Sequence, residues 1–184
     1  EILVMPGTYM GTGEEVINLL GKAVWLHSSG GQGVTIINGQ GARRGIYCGN
    51  GETLNTVIEG FTITNGYSYS GGGMSNYTSS PTLKNCSFEG NNSNNNYGGG
   101  MDNLVGCSPT LTNCTFTENS AYYGGGMYNY DSSPTLTNCT FENNTANNGG
   151  GMYNNNYSNP TLINCTFDSN TSYYGGGMDN YFGS

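Results

Sequence analysis

Residues 124–144 read GGGMYNYDSSPTLTNCTFENN, and this stretch decides the fold because the chain repeats its pattern. Successive copies of the GGGM tetrapeptide are separated by 27, 26, 25 and 26 residues. A period between about 20 and 50 residues is typical of solenoids, propellers and arrays, whose units bury their apolar faces only against one another. The methionines that end the tetrapeptides are Met74, Met101, Met127, Met152 and Met178.

Two further motifs follow each methionine at constrained spacing. The first is Pro-Thr-Leu and the second is Asn-Cys-(Ser/Thr)-Phe, and the proline always precedes the cysteine by five residues, as Pro134 precedes Cys139. Apolar and polar residues alternate in these segments, as in Cys139, Thr140 and Phe141, and this alternation predicts strands. Strong helix formers are rare beside Gly, Asn, Thr, Ser and Tyr, so helices are disfavoured.

A repeat of this length holds three short strands and three turns, which predicts one coil of a right-handed, three-sided parallel β-helix. We expect an all-β chain of about seven coils of about 26 residues. Residues 1–184 are predicted to form one domain, with degenerate coils in 1–66 and regular repeats in 67–184. Strands expected in the degenerate part are Ile2 to Tyr9, Val34 to Asn38 and Thr56 to Asn65.

Stacked coils lie about 4.8 Å apart, so each repeated position becomes a column. Phe61 and Ile63 are predicted to extend the cysteine and phenylalanine columns into the degenerate part. The expected interior columns are the five methionines; Leu83, Leu111, Leu136, Leu162; Cys86, Cys114, Cys139, Cys165; and Phe88, Phe116, Phe141, Phe167.

Two sets of asparagines are predicted at the corners between strands. Asparagine tolerates the left-handed backbone conformation, and stacked amides can hydrogen-bond along the axis. The first set is Asn85, Asn113, Asn138 and Asn164, and the second is Asn91, Asn119, Asn144 and Asn170.

Four of the six cysteines belong to one predicted column. They either pack as small apolar thiols or form one or two bridges, since neighbouring Cα atoms in a column lie within bonding distance. Cys48 and Cys107 fall outside this column, near turns. No spacing of Cys and His typical of a metal site is present, and no cofactor is implied.

The net charge is −8, with only Lys22, Arg43, Arg44 and Lys84 positive. The chain therefore offers no basic patch, and nucleic acid is a poor partner. No apolar stretch has the length of a membrane span. Low charge and abundant Asn, Thr, Ser, Tyr and Gly favour a secreted or surface protein.

Tyrosines cluster around each glycine corner and predict an aromatic face for lateral contacts or for stacking on glycans. Alternatively, they shield the backbone of the glycine corner. The candidate residues are Tyr97, Tyr122, Tyr123, Tyr128, Tyr153, Tyr173 and Tyr174, of which Tyr128 and Tyr153 are expected to point outward.

A second outward face carries threonines on the Pro-Thr-Leu side, and it resembles the flat threonine arrays of β-solenoid ice-binding proteins. Lys84 and Ile163 interrupt this array, and threonine is also simply favoured on exposed strands. The candidate residues are Thr82, Thr110, Thr112, Thr135, Thr137 and Thr161.

A third outward surface is a column that contains Glu89, Thr117, Glu142 and Asp168. Its carboxylates are candidates for a calcium site, because Glu142 and Asp168 would otherwise repel each other. The alternative is a solvated face that keeps the protein soluble. No catalytic residue is predicted, since the acids are scattered and His27 has no acid nearby in sequence.

The Gly-Gly-rich corner paired with Phe-x-x-Asn, as in Phe116 to Asn119, resembles the repeats of chlamydial polymorphic outer membrane proteins and of other bacterial right-handed β-helix surface proteins. The resemblance covers roughly residues 57–184 and implies an adhesin. This chain has GGGM where that family has Gly-Gly-Ala followed by an aliphatic residue. Residues 4–9 and 37–41 resemble the opening coils of secreted β-helix proteins, among them the pectate-lyase-like group.

Neither end of the chain shows the polar cap that a solenoid needs. Either missing coils cap it within a longer surface protein, or its ends pair with other copies in a head-to-tail filament. We therefore expect a non-enzymatic extracellular structural or adhesive solenoid, whose partners are other copies of itself and glycans or a host cell surface. The alternatives are an ice-binding protein and a polysaccharide lyase or hydrolase.

Overall fold

The computed structural model describes residues 1–184 and consists of strands joined by turns and bends. Its strands, in chain order, are β1 (Ile2–Val4), β2 (Gly7–Tyr9), β3 (Glu15–Asn18), β4 (Trp25–Ser28), β5 (Thr35–Asn38), β6 (Arg44–Cys48), β7 (Val57–Glu59), β8 (Thr62–Thr64), β9 (Met74–Tyr77), β10 (Thr82–Lys84), β11 (Ser87–Glu89), β12 (Met101–Leu104), β13 (Thr110–Thr112), β14 (Thr115–Thr117), β15 (Met127–Tyr130), β16 (Thr135–Thr137), β17 (Thr140–Glu142), β18 (Thr145–Asn148), β19 (Met152–Asn155), β20 (Thr161–Ile163), β21 (Thr166–Asp168), β22 (Thr171–Tyr174) and β23 (Met178–Asn180).

Three seven-stranded parallel sheets run along the molecule. Sheet A has the order β1-β4-β7-β10-β13-β16-β20, sheet B the order β2-β5-β8-β11-β14-β17-β21, and sheet C the order β3-β6-β9-β12-β15-β19-β23. Each strand pairs with its counterparts on neighbouring coils, so the chain forms seven coils with three sides. The predicted parallel β-helix is confirmed.

The strand register aligns the repeated positions as predicted. Leu83 lies opposite Leu111, and Phe88 lies opposite Phe116. On its other side Phe88 lies opposite Ile63, which confirms the alignment of the degenerate coils with the regular repeats. The sequence did not predict β3, β4 and β6, which lie in the degenerate part.

The interior columns form one continuous apolar core. Met127, Leu136, Cys139 and Phe141 are all fully buried, as are their counterparts on the two preceding coils. The phenylalanine rings stack 4.7 to 4.8 Å apart with interplanar angles of 3°, a spacing set by the strand separation. All six cysteines are free thiols, so the column packs as small apolar side chains.

The glycine corner before each of the first four methionines is packed too tightly for any other residue. A Cβ on Gly126 would lie 2.6 Å from the Gly151 carbonyl oxygen and 2.7 Å from a ring carbon of Phe141. The preceding Gly124 has a φ of 65°, a conformation that favours glycine. Close approach of backbone to core therefore explains the repeated triplet.

The second set of asparagines forms the predicted ladder of amide hydrogen bonds along the axis, but its residues do not adopt the predicted left-handed backbone. The left-handed residues at this corner are the preceding Gly90, Glu118, Asn143 and Ser169. The asparagine side chains turn inward and are buried, except that of Asn170 on the last coil, which is half-buried. Asn119 Oδ1 accepts from both the backbone N–H and the Nδ2 of Asn91, at 3.0 Å each. Its Nδ2 donates to Asn144 Oδ1 at 2.9 Å and to the Phe88 carbonyl at 2.9 Å. The first set keeps the predicted left-handed φ, which is 53° at Asn113.

A second interior amide ladder was not predicted. Asn103 Nδ2 donates to Asn129 Oδ1, and Asn129 Nδ2 donates to Asn154 Oδ1, at 2.8 Å each. Its members are Asn76, Asn103, Asn129, Asn154 and Asn180. Buried amides that satisfy one another fix the register of sheet C.

Cys107 belongs to a third ladder of hydrogen-bonded side chains, made mostly of serines. Its Sγ accepts the Ser79 backbone N–H at 3.3 Å, and its own N–H donates to Ser132 Oγ at 3.1 Å. Ser132 N–H in turn donates to Ser158 Oγ at 3.0 Å. The cysteine thus takes a serine position just before the Pro-Thr-Leu strand.

In addition to sheets A, B and C, the regular coils contribute to a fourth ladder of paired strands, which was not predicted. Strands β18 and β22 form a two-stranded sheet between sheets B and C, and isolated bridges such as Tyr97↔Tyr123 continue it through earlier coils. The prediction of three strands per coil was therefore incomplete. This fourth ladder carries several of the tyrosines that border the candidate site.

Candidate functional site

The structure contains one cavity, a cleft of about 410 Å³ on the outer surface between sheet C and the fourth ladder. We call it the tyrosine notch. Its lining residues are Tyr97, Tyr123, Tyr128, Tyr130, Asn148, Tyr153, Asn155 and Tyr181. The volume lies within the range of roughly 300 to 1,000 Å³ typical of small-molecule sites.

The strand alternation of sheet C positions two of the three columns that border the notch. Met127 and Asn129 point into the core, so Tyr128 and Tyr130 point outward. The third column comes from the fourth ladder, where Tyr123 pairs with Tyr97 and with Asn148. The glycine corner brings this ladder beside sheet C.

The tyrosine rings form two stacks parallel to the solenoid axis. Tyr128 and Tyr153 lie 5.8 Å apart at an interplanar angle of 5°, and Tyr97 and Tyr123 lie 5.7 Å apart at 19°. The two stacks contact each other, with Tyr97 and Tyr128 at 4.7 Å. Tyr128 and Tyr153 do point outward, but each is only 4% exposed because neighbouring side chains cover it.

The structure brings four of the seven predicted tyrosines together in the notch. Tyr122, Tyr173 and Tyr174 lie outside its lining and are 40%, 81% and 59% exposed. Tyr130 and Tyr181 were not identified from the sequence. Each lies two residues after an outward position, Tyr128 or Asp179, and strand alternation could therefore have predicted that it points outward. Asn148, Asn155 and their role in the lining were also missed.

Three consecutive coils differ at the three bordering columns. One coil presents three tyrosines, the next presents one tyrosine between two asparagines, and the next presents an aspartate between two tyrosines. The two asparagines remove two rings from otherwise aromatic surroundings. In chain order these positions are Tyr123, Tyr128, Tyr130; Asn148, Tyr153, Asn155; and Tyr174, Asp179, Tyr181.

Burial favours the protonated phenol at three tyrosines of the notch. It raises the pKa of Tyr153 to about 12, with further contributions from Asp179 and neighbouring tyrosines. Burial also raises the pKa values of Tyr123 and Tyr128. No lysine or arginine lines the cleft, so it offers neutral hydroxyl and amide groups to a ligand.

The threonine face is in register but irregular. Thr82, Thr110, Thr135 and Thr161 form one outward column on sheet A. In the adjacent column only Thr112 and Thr137 are threonines, because Lys84 precedes them and Ile163 follows them. The complete Thr-x-Thr pattern is thus limited to two coils.

The acidic column does not converge on a metal site. Glu142 pairs with Asp168, but Thr117 separates Glu142 from Glu89. All three carboxylates are exposed, and no group of three or more His, Cys, Asp or Glu side chains is placed to hold a metal ion. The arrangement matches the alternative of a solvated charged face.

A buried polar cluster beside the notch was not predicted. Asp102 is fully buried on the outer side of β12, and Ser70 Oγ donates to its carboxylate. Arg44 donates to the Ser70 carbonyl at 2.9 Å and to Ser68 Oγ at 3.0 Å. Burial raises the pKa of Asp102 to about 6, although Ser70 and the charge of Arg44 oppose this shift. The cluster joins coils and encloses no cavity.

The stacked parallel coils define a β-solenoid whose outer surface carries the candidate site. A family model described as a right-handed β-helix region matches residues 22–184, and the chain therefore belongs to the right-handed β-helix family. No curated protein and no solved structure matches the chain. The structure has no helix of the length and apolar character required to cross a bilayer.

Proposed function

We propose that this protein is a non-enzymatic, extracellular structural or adhesive solenoid whose coils continue axially, either by head-to-tail stacking of copies or as part of a longer surface protein. The observation that carries this proposal is the exposure of core side chains and open sheet edges on the first and last described coils, which another copy or further coils of a longer protein would cover. The stacked coils form a rod, and the open sheet edges of its first and last coils would allow further coils to be added. Adhesion belongs to the outer surface, where the tyrosine notch lies.

The last coil leaves its interior columns half-covered. Leu136 and Phe141 are fully buried, whereas their counterparts Leu162 and Phe167 are partly exposed. Cys165 and Met178 show the same contrast with the coil before them. One more coil on β20, β21 and β23 would bury these side chains, each worth about 1.5 to 3 kcal/mol when fully covered.

The first coil is open in the same way. Ile2 lies in the column of Leu26 and Tyr9 in that of Ile37, yet Ile2 is 46% exposed and Tyr9 is 38% exposed. Strands β1, β2 and β3 each have one unpaired edge. Open edges pair with parallel strands of another chain, and pairing unlike ends repeats without closing, which gives a filament.

Coils of a longer surface protein would cover the same edges by the same contacts. In that case the solenoid is a segment of a rod, and the role on the outer surface is unchanged. The resemblance to repeats of bacterial surface adhesins supports both forms. Low charge and abundant polar uncharged residues support a location outside the cell.

The single histidine of the chain pairs with one carboxylate outside the cavity, and this is the only ion pair, which supports a non-enzymatic role. His27 Nε2 contacts the Glu1 carboxylate at 2.9 Å, and its ring stacks on Trp25 at 4.0 Å, so the missing acid partner comes from the first coil. This pair lies on sheet A, away from the notch. An ice-binding role is less well supported, because the regular threonine pattern spans only two coils.

The test of axial stacking uses two neighbouring residues of β20. Leu162 points inward and is half-buried, whereas Ile163 points outward and is 46% exposed. Leu162→Glu would place a charge in the stacking surface, and Ile163→Glu adds the same charge on the outer face. Sedimentation velocity and electron microscopy would follow the assembly of each variant, with circular dichroism to verify folding.

Wild type and Ile163→Glu are expected to form concentration-dependent oligomers and filaments, and Leu162→Glu is expected to remain monomeric. A wild-type protein that stays monomeric at all concentrations would contradict head-to-tail stacking of copies. Equal assembly of the two glutamate variants would show that association uses another surface.

A further inference from the structure

Two asparagines interrupt columns of tyrosines in the notch. Asn148 lies between Tyr123 and Tyr174 on consecutive coils, and Asn155 follows Tyr130. Tyr123 and Tyr174 are two coils apart, so the distance between their backbones is roughly twice the strand spacing of about 4.8 Å. Each asparagine therefore leaves a gap that one flat ring can fill.

The gaps expose polar edges more than ring faces. The faces of Tyr128 and Tyr153 cover each other, and so do those of Tyr97 and Tyr123. The hydroxyl groups, the amides and the partly exposed side chain of Tyr130 are what remains for a ligand. A cage for a quaternary ammonium ion needs several ring faces turned to the cation, and this arrangement does not provide them.

The charge around the notch disfavours anions. Asn148 Nδ2 lies 3.3 Å from Asp179 Oδ2, so a carboxylate stands at the border of the cleft. The four cationic residues of the chain are Lys22, Arg43, Arg44 and Lys84, and none of them lines it. A polyuronate or a phosphate would meet repulsion with no compensating cation.

We propose that the tyrosine notch binds a neutral saccharide, with a pyranose ring seated in the gap over Asn148 or Asn155. A pyranose combines an apolar ring face, which suits the Tyr130 side chain that is 39% exposed in the lining, with hydroxyls that pair with amides and phenols. The cleft of about 410 Å³ suits a short saccharide. This inference rests on the proposed function, since it names the ligand of its adhesive surface.

The test replaces both asparagines by tyrosines, so that rings fill the two gaps. In Asn148→Tyr/Asn155→Tyr the missing rings are restored, and neighbouring coils already carry tyrosine at both positions, so the fold should tolerate them. The matched control is Asn147→Tyr, which adds a ring on the same strand at an exposed position outside the lining. Binding would be screened on an array of neutral glycans and measured by calorimetry, with digalacturonate and choline as probes of the other ligand classes.

The wild type and Asn147→Tyr are expected to bind at least one neutral saccharide, and the double variant to bind it at least about tenfold more weakly. Tighter binding of choline or digalacturonate than of every neutral saccharide would overturn the proposal. No binding on the array, or equal binding by the double variant, would also overturn it. The substituted residues lie outside β20, β21 and β23, so sedimentation of the same variants tests axial stacking separately.

Discussion

At the scale of single residues, each glycine of the triplet is tied to a particular contact. The first adopts a left-handed backbone, and the second and third approach the backbone of the next coil. The third also faces a phenylalanine ring of its own coil. These contacts explain why the repeat tolerates no side chain at the corner.

Gly126→Ala is expected to destabilise the protein by roughly 1 to 3 kcal/mol or more, because the new Cβ would overlap Gly151 and Phe141. Gly33→Ala is the control, since Gly33 has open space around it and no left-handed φ. This control should be neutral or slightly stabilising. Thermal or urea unfolding measures both, and equal stability of the two variants would contradict the packing account.

Asp102 predicts a pH dependence of folding. Its pKa is raised from 3.8 to about 6 by burial, so the folded state binds the proton more tightly than the unfolded state does. Its contribution to stability is therefore present below about pH 4 and is lost as pH rises through about 6. The Asp102→Asn side chain does not ionise, so this variant should not lose stability in this way. Its free energy of unfolding should rise by about 3 kcal/mol relative to that of the wild type between pH 4 and pH 7.

Urea unfolding across this pH range checks the expectation for Asp102. Asp131→Asn removes a carboxylate from an exposed turn and should follow the wild-type curve. Parallel curves for wild type and Asp102→Asn would show that the buried carboxylate does not control the dependence.

At the scale of elements, the buried amide ladder beside sheet B joins each coil to the next. The Asn119 side chain makes four hydrogen bonds of 2.9 to 3.0 Å. Asn119→Ala would leave buried groups of Asn91 and Phe88 without partners, at a cost of about 3 kcal/mol or more. Asn113→Gly is the control at an exposed, left-handed position and should change stability by less than about 0.5 kcal/mol.

Chemical unfolding compares the two asparagine variants. A similar loss in both would mean that the buried amides of Asn119 contribute no more to stability than the exposed corner residue Asn113. A larger loss in Asn119→Ala would show that the interior amides, rather than the turn conformations, hold neighbouring coils together.

At the scale of the whole molecule, the regular repeats predicted the coils, the sheets and the interior columns. The sequence could not predict that Asn119 turns inward, because a corner and a ladder both favour asparagine. Cys107 was obscured because it replaces a serine. Strands β3, β4 and β6 lie between loops of unequal length, so no period marked them.

The candidate site was predicted only in part. Tyr97, Tyr123, Tyr128 and Tyr153 followed from their position beside the glycine corner. The covering of Tyr128 depends on rings from neighbouring coils, which a single repeat does not show. The gaps of the notch lie where Asn148 and Asn155 replace tyrosines, and such departures from a repeat are visible only once the coils are stacked.

The most direct test of axial stacking is the reactivity of Cys165. It is the only partly exposed cysteine, whereas the other five are buried. Burial raises its thiol pKa, so pulse labelling with a maleimide at pH 8, read by mass spectrometry, would be slow but specific. We predict that labelling of Cys165 falls at least about tenfold between dilute and concentrated protein, and that Leu162→Glu removes this fall. Labelling at the same rate at every concentration would contradict the account.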